Sequence, residues 1–105
     1  MATFTVARLG QVALGTGSTV IHTAVASVIL RDLTLANINS AAVSVTVWIG
    51  SAATGAEAMI SSFSIPANDF IHWSGMQYIA SAATLKGLCT TASQITATAT
   101  GVTIT

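Results

Sequence analysis

The most regular stretch of this 105-residue chain reads Val43-Ser44-Val45-Thr46-Val47-Trp48-Ile49, and aliphatic residues occupy every second position in it. Successive side chains of a β-strand point to opposite faces, so the four aliphatic residues share one face. The other face carries Ser44, Thr46 and Trp48. An amphipathic helix would instead repeat its apolar residues every three or four positions. The stretch therefore predicts a β-strand with one face in a hydrophobic core.

The same two-residue period continues on both sides of this strand, in segments rich in Thr, Val and Ile. Further strands are predicted at 3–14, 19–23, 29–37, 59–65, 70–73, 84–90 and 94–105. Turns are predicted at 37–42 and at Pro66-Ala67-Asn68-Asp69, and a small-residue loop at 50–57. Seven to nine short strands and no helical window predict one all-β domain over 1–105, an antiparallel β-sandwich or jelly roll.

Alternation also predicts which side chains share the core. The last predicted strand contains a change of parity, since Ile95, Ala97 and Ala99 fall on one face and Val102 and Ile104 on the other. A β-bulge near Thr100-Gly101 would return them to one face. The predicted core residues are Leu33, Leu35, Val43, Val45, Val47, Phe63, Ile65, Ile71 and Trp73.

Charged residues are scarce, at 6% of the chain against about 25% in an average protein, and the formal net charge is zero. Hydroxyl groups from sixteen Thr and eleven Ser residues supply most of the polar surface. A neutral surface of this kind lacks the repulsion that keeps soluble proteins apart, so it tolerates close neighbours. The composition therefore predicts a subunit of a multi-copy assembly.

The composition of the chain disfavours several classes of function. The cations Arg8, Arg31 and Lys86 are too few and too scattered to neutralise a run of phosphates, so nucleic acid is not an expected partner. No apolar run reaches the 18 to 20 residues that a membrane-spanning helix needs, so we expect no membrane partner. The N-terminal residues show no basic segment followed by an apolar one, so we expect assembly in a cytoplasm. A single cysteine, Cys89, excludes an internal disulfide and is expected to be a small buried side chain.

Catalytic and metal sites are not predicted either. Asp69, His72 and any of eleven serines could be drawn as a triad, but so many hydroxyls make such a match expected by chance. The carboxylates Asp32, Glu57 and Asp69 are too few for a convincing glycosidase pair. The possible zinc ligands fall on three different predicted strands without paired spacing: His22, His72 and Cys89. We therefore expect no catalytic residue, cofactor or metal.

Several strands and turns follow one another along the chain in an order that resembles a known group of proteins. A strand ending in Asn37 leads through a small-residue turn to the Val/Thr strand Val43–Ile49. The segment 60–69 then ends in a turn containing Pro66, and Ile71-His72-Trp73 and a Thr/Val strand follow. Over about residues 18–105 this order resembles small bacteriophage virion proteins of the tail, head-fibre and decoration type. The resemblance implies a β-sandwich, often trimeric, that serves as a particle component beside capsid or tail subunits.

Trp48 is the candidate residue for such contacts. It shares its face with Ser44 and Thr46, opposite the core face, so alternation predicts that a single copy leaves the indole in water. Exposed aromatic residues mark interfaces. We therefore predict a subunit interface at Trp48, Thr46 and Ser44, although a loop of the same chain could cover the ring instead.

Two functions stay open at this point. The first is a non-enzymatic structural protein of a bacteriophage virion, a capsid decoration, neck or tail accessory protein present as a homo-oligomer, with a trimer expected. The second is a carbohydrate-binding or host-receptor-binding module of a phage fibre, in which Trp48, Trp73 or Tyr78 would stack on sugar rings. The amide groups that sugar sites need are dispersed along the chain, which favours the first function.

Overall fold

The computed structural model of the protein describes residues 3–50 and 57–105. These residues form eight antiparallel strands, within the predicted range of seven to nine, and contain no helix. The predicted loop at 50–57 lies mostly outside the described residues. The strands are β1 (Phe4–Ala13), β2 (Thr19–Thr23), β3 (Val28–Asn37), β4 (Val43–Ile49), β5 (Ala58–Ile65), β6 (Phe70–Ile79), β7 (Thr84–Cys89) and β8 (Ile95–Ile104).

The predicted strands agree with these bounds to within one residue at nearly every end, and β2 and β4 agree fully. The exception is β6, which was expected to end at Trp73 and continues to Ile79. Its second half does not alternate, because Gly75 and Gln77 stand where apolar residues would be needed for a periodic signal. The turn before it is as predicted, since Asp69 Oδ1 accepts a hydrogen bond from Phe70 N–H at 2.8 Å.

The strands form two four-stranded sheets, in the orders β1-β8-β3-β6 and β2-β7-β4-β5. The pairs are nested: β4 pairs with β5, β3 with β6, β2 with β7 and β1 with β8. The chain is thus one long hairpin folded in half at β4–β5 and rolled up. Two further pairs, β3 with β8 and β4 with β7, close the roll. The β-sandwich prediction is confirmed, and the strand order is that of a jelly roll.

One hydrophobic core lies between the two sheets. Of the nine predicted core residues, six are buried there: Leu33, Leu35, Val43, Val45, Val47 and Ile65. Ile71 and Trp73 pack against the core but are only partly buried.

The prediction for Phe63 is wrong, because its side chain is 47% exposed. Phe63 lies opposite the buried Val45, so it has the expected parity. However, β5 is an edge strand, and it has a neighbour on one side only. Parity therefore gives the face of a side chain and not its depth.

The change of parity in β8 has a different origin from the predicted one. Thr100 and Gly101 pair with Asp32 and Leu30, so the extra residue, Arg31, lies in β3. A second extra residue, Leu9, lies in β1 at the same level. Since β8 itself runs through without a bulge, Val102 and Ile104 stay on the outer face of their sheet.

Among residues 3–50 and 57–105 the one buried polar residue is Asn37, which joins the two sheets at the end where the β3–β4 and β5–β6 turns lie. Its amide Nδ2 donates to the carbonyl oxygens of Ala41, Ile65 and Pro66 at 3.0, 3.0 and 3.1 Å. Its Oδ1 accepts from Asn39 N–H at 2.9 Å. The residue thereby satisfies carbonyl groups of the β3–β4 turn and of the end of β5 with the turn that follows it.

Candidate interaction surface

Trp48 lies on the outer face of the β2-β7-β4-β5 sheet, as its parity predicts, but its ring is only 9% exposed. The expectation that a single copy leaves this indole in water is therefore wrong. Lys86 and Ala58 lie directly opposite it on the two flanking strands, so their side chains stand beside the ring on the same face. An outward-facing ring on a central strand is enclosed by such neighbours, whereas alternation fixes only its direction.

The other two residues of the predicted interface are also partly buried. Thr46 Oγ1 accepts a hydrogen bond from Ser62 N–H at 2.9 Å, and Ser44 N–H donates to Thr90 Oγ1 at 3.2 Å. Both residues thus bind their own chain. The predicted contact at Trp48, Thr46 and Ser44 is left without the exposed ring that motivated it.

Fluorescence can check the burial of Trp48. In a Trp73→Phe variant Trp48 is the sole tryptophan, and we expect blue-shifted emission with weak acrylamide quenching while light scattering reports single chains. The reciprocal Trp48→Phe variant, which retains the partly buried Trp73, serves as the control and should be quenched more strongly. Quenching of Trp48 as efficient as that of free tryptophan would contradict the burial.

The residues considered for catalysis and metal binding are dispersed. His72 Nε2 lies 3.1 Å from Asp32 Oδ1 on the outer face of the other sheet, and both side chains are about half exposed. His22 Nδ1 lies 2.9 Å from the carbonyl oxygen of Leu9, and its Nε2 is buried without a hydrogen-bond partner. Cys89 is buried and its thiol contacts backbone carbonyls. Within residues 3–50 and 57–105, no three His, Cys, Asp or Glu side chains cluster as metal ligands would.

Of the three aromatic residues considered for sugar stacking, only Tyr78 is exposed, at 61%. Its hydroxyl lies 2.9 Å from Ser27 Oγ. The part of the chain that the structure describes contains no pocket, and none of its residues forms a helix long and apolar enough to cross a membrane.

The outer face of the β1-β8-β3-β6 sheet carries a row of apolar residues that runs from edge to edge. Val6 on β1 lies opposite Val102 on β8, Val102 lies opposite Ile29 on β3, and Ile29 lies opposite Tyr78 on β6. Each strand thus contributes one residue. Alternation places three more apolar residues on the same face beside the row: Phe4, Ile104 and Met76. We call these seven residues the apolar patch.

The patch is well exposed where it crosses the two edge strands. Val6 is 76% exposed and Tyr78 is 61%, while Phe4 and Met76 are both 66%. The three residues on the central strands are partly buried. An exposed apolar patch of this kind often marks a surface where another molecule binds.

Arg8 and Asp32 are charged residues in the next row along this face. Their side chains make their contacts on the side that points away from the patch. That row pairs Arg8 with Thr100 and Thr100 with Asp32. Arg8 Nη1 donates to Gln11 at 3.2 Å, and Asp32 is the partner of His72. Gln11 and His72 both lie farther from the patch along their strands, so the contacts of Arg8 and Asp32 are directed away from it. The exposed Arg31, the extra residue of β3, is the charged residue nearest to Ile29 on that strand.

The sequence contained a signal for this patch. The parity of Val102 and Ile104 already separated them from the core residues of β8, and the predicted bulge removed that separation. The contributions of Val6 and Met76 had no local signal, because only the pairing of distant strands brings them to one face.

The chain as a whole matches no protein-family model, and no curated protein is significantly similar to it.

Proposed function

We propose that this protein is a non-enzymatic structural component of a bacteriophage virion, a capsid decoration, neck or tail accessory protein that works in many copies. The observation that carries the proposal is the exposed apolar patch on a chain with six charged residues and zero net charge. Such a surface is unfavourable on an isolated protein and suits a subunit whose neighbours cover it. The expected partners are further copies of the chain, as a trimer, together with capsid or tail subunits.

The fold is compatible with this role. Jelly rolls occur in viral capsid proteins and also in lectins and cupins, so the strand order alone does not select among these functions. The composition does favour one of them, because Ser and Thr hydroxyls solvate a β surface without the charges that would have to lose water in every contact. Assembly in the host cytoplasm and residence in the virion belong to the same proposal.

Virus particles test the proposal directly. Particles purified from the source culture by density gradient should contain this chain in many copies, quantified by mass spectrometry against isotope-labelled peptides. Antibodies against the recombinant chain should label intact particles at a fixed position under the electron microscope. A chain that is absent from the particles, or present only in the soluble fraction of the lysate, would overturn the proposal.

The alternative is a carbohydrate-binding or receptor-binding module, and the exposed ring of Tyr78 is the observation that favours it. A glycan array separates the two functions. Binding of a defined sugar by single chains, lost in a Tyr78→Ser variant, would favour the module over the structural subunit.

A further inference from the structure

We infer that the apolar patch is where one copy of the chain packs against another, with patch facing patch at one end of the sandwich. This inference rests on the proposed multi-copy function and names its contact surface. It replaces Trp48 with residues from four strands that are distant in sequence.

The area of the patch suits contact with a second copy of the chain. If an aromatic side chain offers about 200 Å², then Phe4 and Tyr78 at their observed exposures leave about 250 Å² in water. Val6 and Met76 add about 150 Å², on the scale of about 60 to 120 Å² for an aliphatic side chain. The four residues supply about half of the roughly 800 Å² that each partner buries in a stable interface. Their less exposed neighbours and the surrounding Thr side chains can supply the rest.

The electrostatics also favour an identical copy. The patch contains no charged residue, and the chain has no net charge to attract or repel a second copy. A partner with a charged surface would have to give up water against apolar side chains and receive no counter-charge. A second patch is apolar in the same places, so it loses no such hydration.

The shape of the outer sheet face also suits contact with a second copy. Four paired strands form a broad surface, and apolar sheet faces pack on one another at about 10 Å in sandwiches. The most exposed patch residues stand on both edges of the sheet, on β1 and β6, so a facing copy can cover the whole row. Identical patches that face each other are related by a two-fold axis, so this contact joins copies in pairs.

Glutamate substitutions test the contact on the isolated full chain. Val6→Glu and Tyr78→Glu should each raise the dissociation constant of the oligomer at least tenfold, measured by size-exclusion chromatography with light scattering over a dilution series. Val20→Glu is the matched control, since Val20 is also an exposed valine on an edge strand and lies on the outer face of the opposite sheet. It should leave assembly unchanged, and circular dichroism should show that all three variants keep their strands.

Cross-linking provides a second measurement that does not depend on weakening the fold. Cys89 is buried, so a Val6→Cys variant carries one accessible thiol. A short bis-maleimide should join Val6→Cys chains into covalent pairs at low concentration, and it should not join Val20→Cys chains.

Each outcome has a defined meaning. Wild-type oligomers that Val6→Glu and Tyr78→Glu leave intact, with no cross-linking at position 6, would overturn the inference while the particle experiment still decides the proposed function. Wild-type chains that remain single at high concentration would also overturn it. Dimers that depend on the patch would support the contact and correct the expected number of three.

Discussion

Changing Gly101 to alanine should strongly destabilise the fold. A Cβ atom at this buried position would overlap the carbonyl oxygen of Ile29 and lie 3.0 Å from Leu9 Cδ1. The overlap is with backbone of the neighbouring strand, so no change of rotamer relieves it, and the bulge at Arg31 fixes the approach. We expect a loss of more than about 3 kcal/mol, a large share of the stability of a small domain.

Soluble expression and thermal unfolding measure this effect. Gly10→Ala should behave in the same way, because its Cβ would overlap the carbonyl oxygen of Ile21. Gly17→Ala is the control, since a Cβ there meets nothing within 4 Å, and its stability should change by less than about 1 kcal/mol. A Gly101→Ala protein that melts like wild type would show that the two strands are not in this close contact.

The second large effect is expected for Asn37→Asp, a substitution that preserves shape and removes the amide donor. Three carbonyl oxygens that now accept from Nδ2 would face a carboxylate, which is buried and has no cation among its contacts. Breaking such a buried arrangement costs about 3 to 5 kcal/mol at neutral pH. Chemical denaturation of the variant and the wild type gives the difference.

The deficit should depend on pH. The carbonyl oxygens and burial favour the protonated form of the introduced carboxyl, so its pKa is raised in the folded state. Its protonated form can also donate one hydrogen bond, and the deficit should therefore shrink as the pH falls toward the ordinary value of an aspartate, about 4. Asn39→Asp is the control, because Asn39 accepts a hydrogen bond from Ser40 N–H and a carboxylate can do the same. Equal losses in both variants would contradict the role of Asn37.

The strands were predictable because apolar and polar residues alternate along them with a clear period of two. Val43, Val45 and Val47 alternate with polar or aromatic residues, and a sandwich buries only one face of such a strand. The second half of β6 gave no such signal, since an edge strand can hold Gly75 and Gln77 on its inner side. Local patterns also carry no information on which distant strands pair, and the jelly-roll order depends entirely on those pairs.

The candidate site was predictable only in part. The outward direction of Trp48 follows from alternation, but its burial depends on Lys86 and Ala58 on flanking strands that the sequence does not place. The apolar patch needs the pairing of Val6 with Val102 across nearly the whole chain. Sequence composition indicated an assembly subunit, and the fold was needed to propose where the contact lies.

The nested pairing of the strands has a consequence for how the protein is made. Phe4 pairs with Ile104, so β1 cannot complete its ladder until Ile104 has left the ribosome, about 100 residues later. Such distant pairings make folding slow, because the entropy of closing a long loop is lost before the stabilising contacts form. The apolar patch takes residues from β1, β3, β6 and β8, so it is absent until the last strand docks. A half-made chain therefore cannot present the proposed contact surface, and only finished subunits would be incorporated into a growing assembly.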